Sequence, residues 1–323
     1  MLKLQNSSWS LHLKPDLAAI AATVAHKVVA CMRLRSQIEA AVTAAAQQTT
    51  FPKSIYWLPY SVAQGDAGLA IMSAYLDSCF PEESWDITGH HYLQEAARAA
   101  EAQVGIQIGL FSGLSGLAFA AWSLSRSGTR YNKLLTQIEE ILLPQTMDQA
   151  SSLSRYKGLS VHQFDLISGI TGVGAYLLSR RDQVGTSAAL RAILSSLVEL
   201  SQAEAGLPRW HTPAHLISDE TMQRFYPNGN LNCGLAHGIP GPLALMALAQ
   251  SCGVEVAGLS EAIERLARWL SQNHLEDPWG VNWPTAIPLP LACVSKVPAD
   301  RQERSENLSG PSDMMTSSRA AWC

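Results

Sequence analysis

Residues 226–249 read YPNGNLNCGLAHGIPGPLALMALA, and this stretch decides the fold. Its second half, Leu243 to Ala249, is apolar at every position. A helix without a polar face is one buried on all sides. The helix is entered through Gly238-x-x-Gly241, and glycine at such a junction lets two backbones, or a ligand, approach closely. The arrangement occurs three more times, at Gly65-x-x-Gly68, Gly113-x-x-Gly116 and Gly169-x-x-Gly172, and Leu117 to Trp122 (LAFAAW) is again apolar throughout. The spacings of 48, 56 and 69 residues mark an internal repeat with a drifting period. Packing alone explains any one doublet as well as a ligand does. Four in order, each opening an apolar helix, describe one repeated architecture.

Amphipathic helices alternate with the apolar ones. Leu134, Leu135, Ile138, Ile141 and Leu142 fall on one helical face, with Pro144 expected to stop that helix. Leu190, Ile193, Leu194 and Leu197 form a second stripe. Leu259, Ala262, Ile263, Leu266 and Leu270 form a third, with Ser260 as the expected N-cap. Clean period-2 alternation is missing, so strands are not expected. The reading is an all-α, two-layer array, with buried helices in an inner ring and amphipathic helices outside. Residues 1–50 form a helical lead-in and residues 51–323 the repeat domain. A Pro-, Ser-, Asp- and Arg-rich stretch at 284–318 is expected to be a long loop.

The chain has 323 residues, 47% of them hydrophobic and 15% charged, ample for a large core. A net charge of −4 lacks the basic face that nucleic acid or an anionic membrane surface requires. The apolar run from Leu17 to Ala25 is too short to span a bilayer. The cysteines (31, 79, 233, 252, 293 and 323) form no CxxC pair. That usage is expected of reduced thiols in the cytoplasm.

Three residues stand where chemistry is plausible. His237 lies between Ala236 and Gly238, at the mouth of a buried helix. A lone histidine is more often a hydrogen-bonded core residue than a catalyst, but the glycines leave space over this imidazole, which can deliver a proton to a developing enolate. Asp165 precedes Gly169 by four residues in FDLISGITG, as a helix cap, as a solvated loop carboxylate, or as a partner that orients or balances the histidine. Cys323 ends the chain in Arg319-Ala320-Ala321-Trp322-Cys323, and by itself reads as an exposed thiol. Cys233 and His237 are four apart, but the loop-to-helix break between them argues against a helical ligand pair.

Taken together, GLAHGIPG (234–241), the preceding YPNGNLN (226–232), FDLISGITG (164–172), SGLSG (112–116) and the final RAAWC (319–323) resemble the LanC-like lanthionine synthetase family. The resemblance runs from about residue 55 to the end. It implies an α/α toroid of seven inner and seven outer helices, of which four hairpins are recognisable here. It also implies cyclisation of a dehydrated precursor peptide carrying a leader, with a dehydratase as upstream partner. A peptide cysteine adds across dehydroalanine or dehydrobutyrine to give a thioether. The residue types suit that reaction: zinc makes the thiolate, an open fourth coordination position admits the substrate sulfur, and an acid protonates the enolate. By resemblance, His237 handles the proton, Asp165 shares its pocket, Arg319 is an active-site arginine and Cys323 is the first zinc ligand.

The sequence departs from the family after Cys323. The glycine of the Trp-Cys-x-Gly motif and a later Cys-His-Gly are not in it. One thiolate does not make a three-ligand site, so little or no zinc binding and no cyclase turnover are expected of these residues alone. An apolar flank is expected to stand open where further hairpins would pack. Two other readings compete: a non-catalytic scaffold that docks a leader peptide or dehydratase, and a toroidal glycoside hydrolase. The hydrolase needs paired carboxylates, for which the glycine-doublet loops offer Asp66 and Asp165 but no repeated pair.

Overall fold

The computed structural model describes residues 13–290. Two helices, α1 (Pro15–Cys31) and α2 (Arg35–Gln48), lead in. Four hairpins follow, each pairing an inner with an outer helix: α3 (Asp66–Cys79) with α4 (Trp85–Glu101), α5 (Leu114–Ser123) with α6 (Asn132–Leu153), α8 (Ile170–Ser179) with α9 (Val184–Leu200), and α11 (Pro240–Ser251) with α12 (Leu259–Gln272). The inner helices neighbour one another in the order α3, α5, α8, α11, and the outer helices α6, α9 and α12 follow the same order behind them. Short helices α7 (Val161–Phe164) and α10 (Glu220–Phe225) lie in the loops before α8 and α11.

The glycine doublets stand where the sequence places them. Gly65, Gly113 and Gly169 cap α3, α5 and α8. A Cβ on the second glycine of each doublet would meet the backbone carbonyl six residues earlier. The distances are 2.2 Å at Gly68 to Val62, 2.0 Å at Gly116 to Leu110, 2.2 Å at Gly172 to Leu166 and 2.9 Å at Gly241 to Leu235. Each inner helix is therefore entered through a loop folded flat against its own first turn. These loops are also joined to one another. Val62 N–H donates to Phe111 O (2.8 Å), Phe111 N–H to Ile167 O (3.1 Å) and Leu166 N–H to Ala236 O (3.0 Å). A chain of backbone hydrogen bonds thus crosses the N-terminal ends of all four inner helices.

Several local expectations change. Helix α6 runs through Pro144 instead of stopping there. Pro144 sits on the exposed side, where the carbonyl it deprives of a partner can face water, while Leu135, Ile138, Leu142 and Thr146 stay buried. Helix α12 is capped by Gly258 in a left-handed conformation (φ 76°), not by Ser260. Ser260 lies within the first turn, and its hydroxyl accepts from Gln250 Nε2. Helix α5 is buried as expected, but α11 exposes Ala244, Ala247 and Leu248. Helices α8 and α12 flank α11, and among the described residues no inner helix covers its far side.

Strands are present too, though only two or three residues long, which is too short to leave a period in the sequence. They are β1 (Ala203–Glu204) with β2 (Leu207–Pro208), β3 (Asn230–Asn232) with β6 (Ala286–Pro288), and β4 (Leu275–Asp277) with β5 (Gly280–Asn282). The β3–β6 pairing is antiparallel, with Leu231 opposite Ile287. The segment from 284 to 290 is thus partly ordered pairing, not only loop; the rest of that stretch lies outside the described residues. Among the described residues no single helix is long and apolar enough to cross a membrane.

Candidate functional site: a carboxylate–imidazole pair between two helix-entry loops

Asp165 and His237 lie 72 residues apart and meet in space, with His237 Nδ1 2.6 Å from Asp165 Oδ2. The Leu166–Ala236 backbone hydrogen bond accounts for this. It ties the residue after Asp165 to the residue before His237, so the two side chains are set side by side.

The aspartate is fully buried, at 0% exposure, with its carboxylate almost completely engaged. Oδ1 accepts from Ser168 N–H (2.7 Å) and Gly169 N–H (2.8 Å), at the entry to α8. A carboxylate there also gains from the partial positive charge of a helix N-terminus. Oδ2 faces His237. The acid therefore braces the loop that enters α8 and faces the histidine, while the N-cap of α8 is Gly169, with no side-chain cap bond.

His237 is held from the other side by its own loop. Gly238 N–H donates to Gly234 O (2.7 Å) and Ile239 N–H to Asn232 O (3.2 Å). Pairing of β3 with β6 and the Cys233 N–H bond to Thr285 O brace the same loop. The imidazole is 45% exposed. Nδ1 faces the carboxylate, which leaves Nε2 as the nitrogen free to act.

A third side chain was not singled out in the sequence. His162, on α7, has its Nδ1 3.8 Å from Asp165 Oδ2. Its ring stands edge-on to that of His237, with centroids 5.9 Å apart. Burial pushes its pKa below the ordinary value, with Asp165 acting against that and His237 adding to it. The available signal was the spacing His162-x-x-Asp165, which places two polar side chains on one turn just before a glycine doublet.

His162, Asp165 and His237 are the one group of three ligand-type side chains gathered closely enough for a metal among the described residues. Their geometry does not suit a zinc site. A separation of 2.6 Å is a short hydrogen bond, closer than two ligands of one tetrahedral zinc stand when each is about 2 Å from the metal. Among the described residues no cysteine joins the group either. Cys233 is buried, its thiol pushed up to about 11 by burial and directed at Leu231 O. Arg319 and Cys323 lie outside the described residues.

Asp66 is not a second catalytic carboxylate. It is fully buried, with Oδ1 held by Arg35 Nη1 at 2.5 Å and Oδ2 by Trp57 Nε1 at 3.1 Å. Burial pushes its pKa up, against the pull of Trp57 and Arg35. Both oxygens are occupied by structural donors, so Asp66 does not complete with Asp165 the carboxylate pair a glycoside hydrolase needs.

Fold and site together define an α/α toroid with a carboxylate–imidazole pair at the helix-entry end. The chain belongs to the lanthionine synthetase C-like protein family, whose model matches residues 56–323. It is 24% identical over 157 residues to the nisin biosynthesis protein NisC of Lactococcus lactis subsp. lactis. That alignment covers 49% of this chain and 37% of the relative. Among solved structures it is similar to nisin cyclase, with a TM-score of 0.64 at 19% identity over 83% of this chain and 66% of that one. The latter likeness concerns the fold. The chain thus spans less than two thirds of the length of either relative.

Proposed function

We propose that this chain carries the proton-handling part of a lanthionine cyclase, acting on a dehydrated precursor peptide. The observation that carries the reading is the buried Asp165 carboxylate fixing His237 through Nδ1, with the imidazole otherwise open to solvent. Family membership and the likeness to a nisin biosynthesis protein supply the reaction class.

In that reaction the peptide thiol loses its proton to solvent and its sulfur bonds to Cβ of dehydroalanine or dehydrobutyrine. The π electrons move onto Cα and the carbonyl as an enolate. Protonated His237 then gives its Nε2 proton to Cα and is reprotonated by water. Asp165 holds the cationic ring in position and balances its charge before the transfer. Its two backbone donors keep the carboxylate from turning away. Zinc, when bound, supplies the thiolate. Its expected ligand here is Cys323, by resemblance, and Arg319 is assigned to enolate stabilisation or peptide positioning on the same ground. A dehydratase acting before this step is the implied partner. The free thiols among the described residues, Cys31, Cys79, Cys233 and Cys252, suit a reducing compartment such as the cytoplasm.

The test is single-turnover cyclisation of a dehydrated peptide bearing one cysteine, with this chain in excess and capping of unreacted thiol read by mass spectrometry. The reading requires acceleration over the uncatalysed rate, and a loss of at least about 100-fold of that acceleration in His237→Gln. Equal rates for parent and variant contradict it.

A further inference from the structure

We propose that His162 is a positioning residue for His237: its ring closes the open side of the Asp165 carboxylate, so that Oδ2 serves His237 and not water. The inference rests on the reading of His237 as proton donor given above.

The exposures carry the argument. Asp165 is completely buried, yet both rings on its Oδ2 side are nearly half exposed, His162 at 44% and His237 at 45%. Oδ1 is already filled by the Ser168 and Gly169 amides. The side left to protect is that of Oδ2, and the two rings cover it between them. One ring bonds the oxygen at 2.6 Å. The other stands 3.8 Å away, too far for a hydrogen bond, over a carboxylate with no exposed surface. The rings meet edge to face, 80° between planes, with centroids 5.9 Å apart.

His162 sits on a rigid support. Its turn is fixed by Ser160 N–H donating to the Gln163 side chain (2.9 Å), by Leu159 N–H to His211 O (2.9 Å) and by fully buried Phe164. Burial lowers the proton affinity of this ring, which favours its uncharged form over one that would compete with His237 for the carboxylate. A cover that is polar but neutral excludes water while leaving the hydrogen bond to the other histidine. Water admitted to Oδ2 would weaken that bond by raising the local dielectric.

The experiment is proton NMR of the full chain, following the His237 Nδ1–H, which a short bond to a buried carboxylate shifts far downfield and protects from solvent exchange. In the parent and in His162→Phe, which keeps a ring of similar size, this proton is expected to be visible and slow to exchange. In His162→Ala its exchange should accelerate about tenfold or more. His162→Gln, a milder variant should the alanine protein not fold, should accelerate it by less. Unchanged exchange in the alanine and glutamine variants, or no protected proton in the parent, overturns the proposal. The cyclisation rate of His237→Gln is a separate readout, so failure of the proton-donor reading is told apart from failure of this one.

Discussion

Replacing Gly116 by alanine tests the loop architecture on which the site stands. The added Cβ would lie 2.0 Å from the Leu110 carbonyl oxygen and 2.9 Å from Val62 Cγ2. An ordinary carbon–oxygen contact is above 3 Å, so the Leu110 loop must retreat by more than 1 Å, against backbone and not a flexible side-chain tip. Phe111 follows Leu110, accepts from Val62 N–H and donates to Ile167 O. Retreat therefore strains two links of the chain of hydrogen bonds across the ring. Overpacking of a tight interior costs about 1–3 kcal/mol and each weakened backbone bond about 1 kcal/mol, offset by about 1 kcal/mol of improved helix propensity. The net expectation is a loss of about 3 kcal/mol. Equilibrium urea unfolding would show it as a midpoint lowered by about 1 M. Gly185→Ala is the control. Its Cβ meets only the tip of Leu143 at 3.2 Å, and it lies in the first turn of α9, so it should be neutral or stabilising by up to about 1 kcal/mol. Equal midpoints for the Gly116 variant and the parent would refute the close-packed entry loops.

Three further outcomes follow from the same structure. Asp165→Asn keeps an oxygen for the Ser168 and Gly169 amides but can offer His237 an amide donor in place of an acceptor, so cyclisation should fall by about 100-fold or more with stability changed by under about 1 kcal/mol; a stable variant with full rate contradicts the pairing. Glu139→Ala leaves Arg180 without the carboxylate that receives its Nε at 2.9 Å and also strips the Tyr176 hydroxyl of its acceptor, so urea unfolding should show a loss of about 3 kcal/mol. Cys233, its thiol pushed up to about 11, carries very little thiolate at pH 8 and should alkylate about 100-fold more slowly than exposed Cys31 and Cys79. Raising the pH from 8 to 10 should speed its labelling about tenfold per unit, because the thiolate fraction still climbs below that pKa; peptide mass mapping after timed iodoacetamide treatment measures both.

The repeat was legible because it is written in covalent terms. A glycine against a carbonyl at 2.0–2.9 Å takes a side chain only if backbone shifts, and that requirement recurs at Gly68, Gly116, Gly172 and Gly241. Asp165 and His237 were legible as candidates, each just ahead of or beside a glycine doublet, but their meeting was not. It depends on the Leu166–Ala236 hydrogen bond between loops, which uses backbone groups that every residue has. His162 was missed for a related reason, since its significance is its distance from the side chain of another loop. Pro144 misled because breaking power depends on which face the proline occupies, and here the buried stripe on the opposite face holds α6 together. The short strands were invisible because β3 is defined by its distant partner β6, not by any pattern of its own.

The most direct test of the central claim is the stereochemistry at Cα of the thioether formed from a dehydroalanine peptide in single turnover, resolved by chiral chromatography after hydrolysis. A proton delivered by a fixed imidazole reaches one face of the enolate. The account therefore requires one dominant lanthionine diastereomer with the parent chain, and a near-even mixture formed at the uncatalysed rate with His237→Gln. The same single diastereomer at the same rate from both proteins would contradict His237 as the proton donor.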